Sequence, residues 1–230
     1  MPDIINYPSN GRNVQAELFE PQGEARPKLI ILAHGTDGFE DTANGPWATM
    51  IRTCALELSQ QGFWVLVPNF FQATNTQPGA AALMGLPVAL AARTAHWEKA
   101  LHDGGNHVAA QERIRISGLI GFSLGGYLCM RLRHEAKALV AFYPPNLLFD
   151  LGSHRPSQLR HAQFHHGLAD DLVLPAHTAS LAAIIHAEGI DPDIHWYDDA
   201  THGFAQATPA DQEAWRDSRA RTVAFIAAHA

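Results

Sequence analysis

The sequence has little cysteine, no long apolar run and no excess of positive charge. It has two cysteines in 230 residues, and its 16 basic residues are outnumbered by 23 acidic ones. No stretch approaches the ~18 apolar residues that a membrane-spanning helix needs, and residues 1–15 lack the basic and apolar regions of a secretory signal. The formal net charge of -7 argues against nucleic acid or an anionic membrane as a partner. We therefore expect a cytoplasmic protein.

The two cysteines, Cys54 and Cys129, allow two interpretations. One disulfide is arithmetically possible. Both residues lie in segments whose apolar spacing predicts buried helix faces, and this favours two unreactive core thiols in a reducing compartment.

The glycine-rich motifs of nucleotide-binding proteins are absent, so no nucleotide cofactor is expected. Three histidines, His161, His165 and His166, precede Asp170 and Asp171 and raise the question of a metal site. Their segment is predicted as a strand, on which adjacent residues point to opposite faces. His165 and His166 then cannot bind one ion, and we expect neither a metal nor another cofactor.

Apolar segments alternate between the spacing of strands and the spacing of helices. Strands are predicted over residues 13–19, 28–34, 63–68, 114–121, 137–143, 162–167 and 193–198, and helices over residues 46–62, 176–188 and 210–228 and from Leu124 through Leu132. This alternation predicts an α/β fold, a parallel sheet wrapped by helices, in one domain of residues 1–230. Residues 69–92 are irregular and are expected at the carboxyl edge of the sheet, where α/β proteins bind ligands.

One short segment carries a candidate nucleophile. Gly121-Phe122-Ser123-Leu124-Gly125 fits the pattern G-x-S-x-G and lies between a predicted buried strand and a predicted helix. The alternative is a glycine-rich turn with an incidental serine. The strand and helix on either side favour the sharp turn that presents Ser123 as a nucleophile.

A serine nucleophile needs a base and an acid, and after a G-x-S-x-G turn these follow in the order Ser, Asp or Glu, His. His202 is the candidate base because it follows the last predicted strand and precedes Gly203. For the acid there are two adjacent candidates. Asp170 is preferred because it matches a G-x-x-D-x-x-V loop, and Asp171 remains the alternative.

The oxyanion hole and the substrate pocket are the remaining parts of such a site. The N–H of Leu124, at a helix N-terminus, is one expected oxyanion donor, and Thr36 in the loop after the first buried strand is the other, with Asp37 as second choice. Phe71, Phe122 and Phe204 flank the predicted site and are expected at the pocket, although such aromatic residues more often belong to the core.

Five segments resemble the dienelactone hydrolase family of α/β-hydrolases in order and spacing. They are "LAHGTDGF", "QGFWVLVPNFF", "GFSLGGY", "FHHGLADDLVLP" and "HWYDDATHGFA". The resemblance covers nearly the whole chain. It implies an α/β-hydrolase core of about eight strands and hydrolysis of an ester or lactone by a nucleophile–His–Asp triad.

The chain departs from that family at three positions. Ser123 stands where the family has a cysteine nucleophile, and Gly35 stands where it has a glutamate that interacts with the cysteine. Gln206 occupies the position of an arginine that binds the substrate carboxylate, and it is assigned to the substrate pocket here. These changes favour a plain serine esterase and predict a preference for neutral esters over carboxylate-bearing lactones.

The sequence thus predicts an enzyme that cleaves a small ester or lactone through an acyl-enzyme, as a monomer or small homo-oligomer. A peptidase or acyltransferase with the same triad is one alternative. A binding protein that kept the fold without the activity is the other. The complete Ser–Asp–His set argues against a binding protein, which has no need of all three residues.

Overall fold

The computed structural model describes residues 2–42, 45–147, 151, 157–204 and 208–230. Eight strands form one sheet in the order β1-β2-β4-β3-β5-β6-β7-β8. The strands are β1 (Asp3–Ser9), β2 (Arg12–Phe19), β3 (Lys28–Ala33), β4 (Trp64–Pro68), β5 (Arg115–Phe122), β6 (Ala138–Phe142), β7 (His161–Gly167) and β8 (Asp193–Tyr197). From β4 to β8 the pairing is parallel, and β2 is antiparallel to both of its neighbours.

Helices cover both faces of this sheet. They are α1 (Trp47–Gln60), α2 (Pro87–Glu112), α3 (Leu124–Leu132), α4 (Pro175–Ala187) and α5 (Pro209–His229). Short 3₁₀ turns occur at Phe70–Ala73, Ala80–Leu83, Arg133–Glu135 and His202–Phe204. Helices α2, α3 and α4 pack on one face and contribute Trp97, Leu128 and Leu181 to its core. Helices α1 and α5 pack on the other face and contribute Cys54 and Ile226.

The central strands are buried on both faces, which explains their nearly continuous apolar sequences. On β3, Leu29 and Ile31 face one core while Ile30 and Leu32 face the other. A strand buried on only one face would show polar residues at alternate positions. The sequence "KLIILA" of β3 therefore places this strand in the middle of the sheet.

The predicted strands and helices are confirmed to within two residues at each end, but one strand and one long helix were not predicted. The 26-residue α2 begins inside the segment that was expected to be irregular. Its buried face includes Gly104 and Gly105, where a helix normally carries larger apolar residues. A Cβ added to Gly104 would lie 2.7 Å from the ring of Tyr7, and one on Gly105 would lie 2.6 Å from Ile31. Close packing against the sheet thus requires glycine at these two positions. The glycines interrupt the apolar periodicity from which a helix is predicted, which is why α2 was missed.

Both cysteines are free and buried, as the core-thiol interpretation predicts. Cys54 lies in the core under α1, and Cys129 lies in the core on the opposite face of the sheet. Burial raises the pKa of Cys54 to about 12, so its thiol is un-ionised at neutral pH. None of the helices that the structure describes has the length and apolar content to cross a membrane.

Candidate active site

Ser123 lies at a sharp turn between β5 and α3. Its backbone angles, φ 51 and ψ -117, are strained for a residue with a side chain. Two glycines make the turn possible, because a Cβ on Gly121 would lie 2.2 Å from the carbonyl oxygen of Gly125, and one on Gly125 would lie 2.2 Å from that of Ala33. The strain at Ser123 is held by this close packing, and the serine lies beyond the carboxyl end of the strand.

His202 connects Ser123 to a buried carboxylate. Its Nε2 lies 3.1 Å from the hydroxyl oxygen of Ser123, and its Nδ1 lies 2.7 Å from Oδ2 of Asp170. The carboxylate accepts a hydrogen bond from Nδ1–H of His202, which leaves the Nε2 lone pair directed at the serine hydroxyl. Asp171, the alternative acid, is exposed at the surface. The three side chains come from the ends of β5, β7 and β8, which meet at the carboxyl edge of the sheet.

Four N–H groups surround the carboxylate of Asp170. Oδ1 accepts from the backbone of Leu172 at 3.0 Å and of Val173 at 2.8 Å. Oδ2 faces His202 and also Nε2 of His166 at 3.2 Å. Burial by itself raises the pKa of this carboxyl, but the hydrogen bonds from His166 and His202 outweigh it and hold the pKa of Asp170 well below its usual range. Asp170 is therefore ionised and fixed in orientation.

The loops that carry Asp170 and His202 are in direct backbone contact. The N–H of Ala169 donates to the carbonyl oxygen of Ala200 at 3.1 Å. A Cβ on Gly167 would lie 2.1 Å from that same oxygen, so only glycine fits where the chain leaves β7. This contact sets the distance between the carboxylate and the imidazole.

His166 supports Asp170 in a way that the sequence did not reveal. The residue is fully buried, and its Nε2 donates to the carbonyl oxygen of Val173 at 2.8 Å as well as to Asp170. Its Nδ1 lies 2.7 Å from the hydroxyl of Thr178 on α4. His165 points to the other face of the sheet, where it contacts the hydroxyl of Tyr197 at 2.9 Å. The two histidines thus lie on opposite faces, as predicted.

Tyr143 is a second residue that sequence reasoning missed. It follows β6 with a φ of 38, and its ring meets the His202 ring edge-on at a centroid distance of 4.8 Å. Its hydroxyl donates to the carbonyl oxygen of Gly203 at 3.3 Å. Burial and the nearby charge of Asp170 raise the pKa of Tyr143, so the phenol stays neutral. Because Tyr143 directly follows an apolar strand, its sequence context is the same as that of an ordinary core residue.

A cavity of about 50 Å³ lies beside Ser123 and His202. Its lining combines the predicted Thr36 and Phe122 with Gly35, Asp37, Gly38, Trp47, Met50, Ile51, Tyr143, Leu172 and Gly203. The structure places the other two predicted aromatic residues outside this lining. Phe71 packs edge-on against His34 at 4.9 Å, and Phe204 packs between Tyr143 and Tyr197. Gln206 lies outside the described residues.

The two expected oxyanion donors are positioned by different elements. Leu124 is the first residue of α3, so its N–H has no acceptor within the helix. Thr36 belongs to the loop after β3, and its carbonyl oxygen accepts from Gly79 N–H at 2.7 Å, which anchors the loop. A Cβ on Gly35 would lie 3.4 Å from the Cβ of Ser123, so this loop packs directly against the serine turn.

His34 packs at the start of the loop that carries Thr36. Its buried ring stacks on Phe70 with a centroid distance of 3.9 Å, and its Nδ1 donates to the carbonyl oxygen of Gly35 at 2.8 Å. Burial lowers the pKa of His34 to about 4. The neutral ring therefore orients the Gly35 peptide and carries no charge at neutral pH.

Comparison with known proteins connects this geometry to a family. The model of the dienelactone hydrolase family matches residues 14–230. No curated protein matches the sequence.

Three solved structures share the fold at low sequence identity. A dienelactone hydrolase-like promiscuous phosphotriesterase from metagenomic libraries has a TM-score of 0.78 at 18% identity, with 100% of this chain and 99% of that chain covered. A serine hydrolase without a lid from Xanthomonas campestris has a TM-score of 0.70 at 18% identity, with 98% and 93% covered. The esterase domain of a Rhodothermus marinus protein has a TM-score of 0.64 at 15% identity, with 98% and 99% covered.

These likenesses show the α/β-hydrolase fold, and the family model spans all but the first 13 residues of the chain. The strand order, the serine turn after β5 and the loops after β7 and β8 agree with that fold. The chain therefore belongs to the dienelactone hydrolase family of α/β-hydrolases.

Proposed function

We propose that this protein is a serine hydrolase that cleaves small neutral esters or lactones through an acyl-enzyme on Ser123. The observation that carries the proposal is the unbroken hydrogen-bonded chain from Asp170 through His202 to Ser123, beside a cavity that Thr36 also lines. A serine hydroxyl is a weak nucleophile unless an adjacent base takes its proton, and an imidazole oriented by a buried carboxylate is such a base.

The reaction follows from this arrangement in two halves. As Oγ of Ser123 attacks the ester carbonyl carbon, Nε2 of His202 takes the hydroxyl proton, and the N–H groups of Leu124 and Thr36 stabilise the oxyanion. The tetrahedral adduct collapses, the bond to the leaving oxygen breaks, and His202 gives its proton to that oxygen. A water molecule then gives a proton to His202 and attacks the acyl-enzyme. Collapse of the second adduct returns that proton to Ser123 and releases the acid.

The charge of the cavity favours neutral substrates. Among the described residues that line it there is no lysine or arginine, whereas Asp37 is acidic. Within the described part of the chain, Asp37 has neither a hydrogen-bond donor nor a cation beside it. Its charge is therefore uncompensated and repels a substrate carboxylate.

The nucleophile is tested with a fluorophosphonate probe, which labels activated serines. We expect wild-type protein to be labelled, Ser123→Ala to be unlabelled, and Ser180→Ala, a change at an exposed serine on α4, to be labelled like wild type. Labelling of Ser123→Ala would place the reactive residue elsewhere. An unlabelled wild type would favour the non-catalytic binding protein.

The reaction class is tested with p-nitrophenyl esters, simple lactones, peptide amides and alcohol acceptors. Hydrolysis of esters or lactones supports the proposal. Faster cleavage of amides would favour a peptidase, and transfer to the alcohol in preference to water would favour an acyltransferase.

The charge preference is tested by comparing kcat/KM for a neutral ester and for a carboxylate-bearing lactone. A charge-assisted hydrogen bond to a substrate carboxylate is worth ~1.5–3 kcal/mol, and its loss costs about ten- to a hundredfold in kcat/KM. We expect the neutral ester to be preferred by such a factor. Asp37→Asn and Gln206→Arg should each narrow the gap, while Glu40→Gln, at an exposed position of the same loop as Asp37, should leave it unchanged. A wild-type preference for the anionic lactone would contradict this part of the proposal.

A further inference from the structure

The catalytic groups fix how an ester must lie in the cavity. The carbonyl oxygen points to the N–H groups of Leu124 and Thr36, and the leaving oxygen must reach Nε2 of His202, which protonates it. The alcohol part of the substrate therefore lies on the His202 side. Leu172 marks that side, because its N–H donates to Asp170, whose carboxylate holds His202.

The part of the cavity that remains for the acid is small and closed. Met50 and Ile51 of α1 line it together with Phe122 and Tyr143, and all four side chains are buried in the core between α1 and the sheet. The volume of the whole cavity, the side at Leu172 and His202 included, is about 50 Å³, which is an upper limit for the part that takes the acid. One water-sized group needs about 10–15 Å³ of such space, so the acyl chain is limited to about three to five non-hydrogen atoms.

The alcohol side is open and apolar. Leu172 lines the cavity, yet its surface is 73% exposed. Two more leucines of the same loop, Leu168 and Leu174, are 50% and 56% exposed. Isolated exposed leucines are common on proteins, but three of them in the seven-residue loop 168–174 that carries Asp170, one of them lining the cavity, give this loop an apolar leucine surface beside the site.

We propose, on the basis of the proposed function, that the enzyme prefers open-chain esters of a short acid and an apolar alcohol whose chain lies on Leu172. The occupant of this leucine surface is then the leaving group of the substrate. A lactone ties the leaving oxygen to the acyl chain, so its ring must fit within the small closed part of the cavity. Open-chain esters therefore exceed lactones of similar size as substrates.

Two series of ester substrates test the acyl part and the alcohol part of the ester separately. In the first series the acyl chain grows from acetate to octanoate with ethanol as the alcohol, and kcat/KM should fall beyond butyrate. In the second series the acid is acetate and the alcohol grows from ethanol to hexanol. Full burial of a methylene is worth about fourfold, so contact with a half-open surface should raise kcat/KM about twofold per methylene. Acid release in a pH-stat measures both series.

The variant Leu172→Ser tests whether the rise of kcat/KM with alcohol length depends on the leucine surface. Leu172→Ser keeps the backbone N–H that Asp170 accepts and should reduce the ratio of kcat/KM for hexyl and ethyl acetate from about sixteenfold to about fourfold or less. Leu56→Ser, a change at a 41%-exposed leucine on α1 away from the cavity, should keep the wild-type ratio.

The results separate the failure of this inference from the failure of the proposed function. Equal kcat/KM for all alcohols, or an unchanged ratio in Leu172→Ser, would overturn the alcohol site while Ser123-dependent hydrolysis persists. A rise of kcat/KM with acyl length would overturn the acyl limit. Hydrolysis that survives in Ser123→Ala would instead overturn the proposed function.

Discussion

Replacement of Asp170 by asparagine tests the central hydrogen-bonded chain with almost no change of shape. The asparagine oxygen can still accept from the backbone of Leu172 and Val173, as Oδ1 of Asp170 does. Its amide nitrogen then occupies the place of Oδ2, which faces His202 and His166. A donor at this position favours the His202 tautomer with its proton on Nε2. That tautomer cannot accept the proton of Ser123.

The expected loss follows from the tautomer. In a serine protease triad the same substitution lowers kcat about 10⁴-fold, which corresponds to about 5 kcal/mol of transition-state stabilisation. The buried N–H of His166 also loses a charged acceptor but keeps the carbonyl oxygen of Val173. We therefore expect a smaller effect on folding, a decrease of about 1–3 kcal/mol in the free energy of unfolding.

Steady-state hydrolysis of p-nitrophenyl acetate measures the loss, and urea denaturation measures the stability. The matched control is Asp171→Asn, which changes an exposed neighbour and should cost less than threefold in kcat/KM. If Asp171→Asn proved the more damaging of the two, or if Asp170→Asn lost less than about tenfold, Asp170 would not orient the base.

Two further predictions concern stability. The pKa of buried His34 is lowered to about 4, so below pH 6.5 the unfolded chain binds a proton at His34 more readily than the folded protein does. The contribution of His34 to the free energy of unfolding is therefore complete above pH 6.5, and that free energy should fall by about 3 kcal/mol as the pH falls toward 4. Thermal unfolding between pH 7 and 4 should show that decline, and His34→Phe should show less of it; an equal decline in both proteins would assign it to other groups. Gly125→Ala should destabilise the fold by more than about 4 kcal/mol in urea denaturation, because its Cβ would lie 2.2 Å from the carbonyl oxygen of Ala33. Gly126→Ala is the milder comparison, since its Cβ would lie 3.0 Å from the side chain of Pro144, and similar losses in both variants would contradict the clash at Gly125.

The sequence was informative wherever local rules and burial agree. The strands β3 to β6 are short, mostly apolar segments between turns, and that pattern predicted them with small errors at their ends. Helix α2 escaped prediction because Gly104 and Gly105, which its packing against the sheet requires, stand on its buried face. The strand β1 lies at the edge of the sheet with Ile4 exposed, so its apolar residues do not alternate cleanly.

In the candidate site, too, some residues could be predicted from local sequence and others could not. Ser123, Asp170 and His202 could be selected from sequence because glycines with backbone requirements flank them: Gly121 and Gly125 at the serine turn, and Gly167 at the start of the acid loop. The need for glycine at these positions arises within each turn or from the strand beside it, so it is visible as a short sequence motif.

Contacts between distant segments leave no such motif. Only the tertiary structure decided that His166 supports Asp170, that Tyr143 packs against His202, and that Phe71 lies in the core away from the cavity. Aromatic and histidine side chains serve equally well in a core and in a site, so their sequence cannot distinguish the two positions. The sequence by itself determined the fold class, all elements except β1 and α2, and the turns that carry the candidate triad. The shape, charge and open side of the cavity depend on which side chains meet at the carboxyl edge of the sheet. Those side chains come from segments far apart in the chain, so only the tertiary structure shows which of them are in contact.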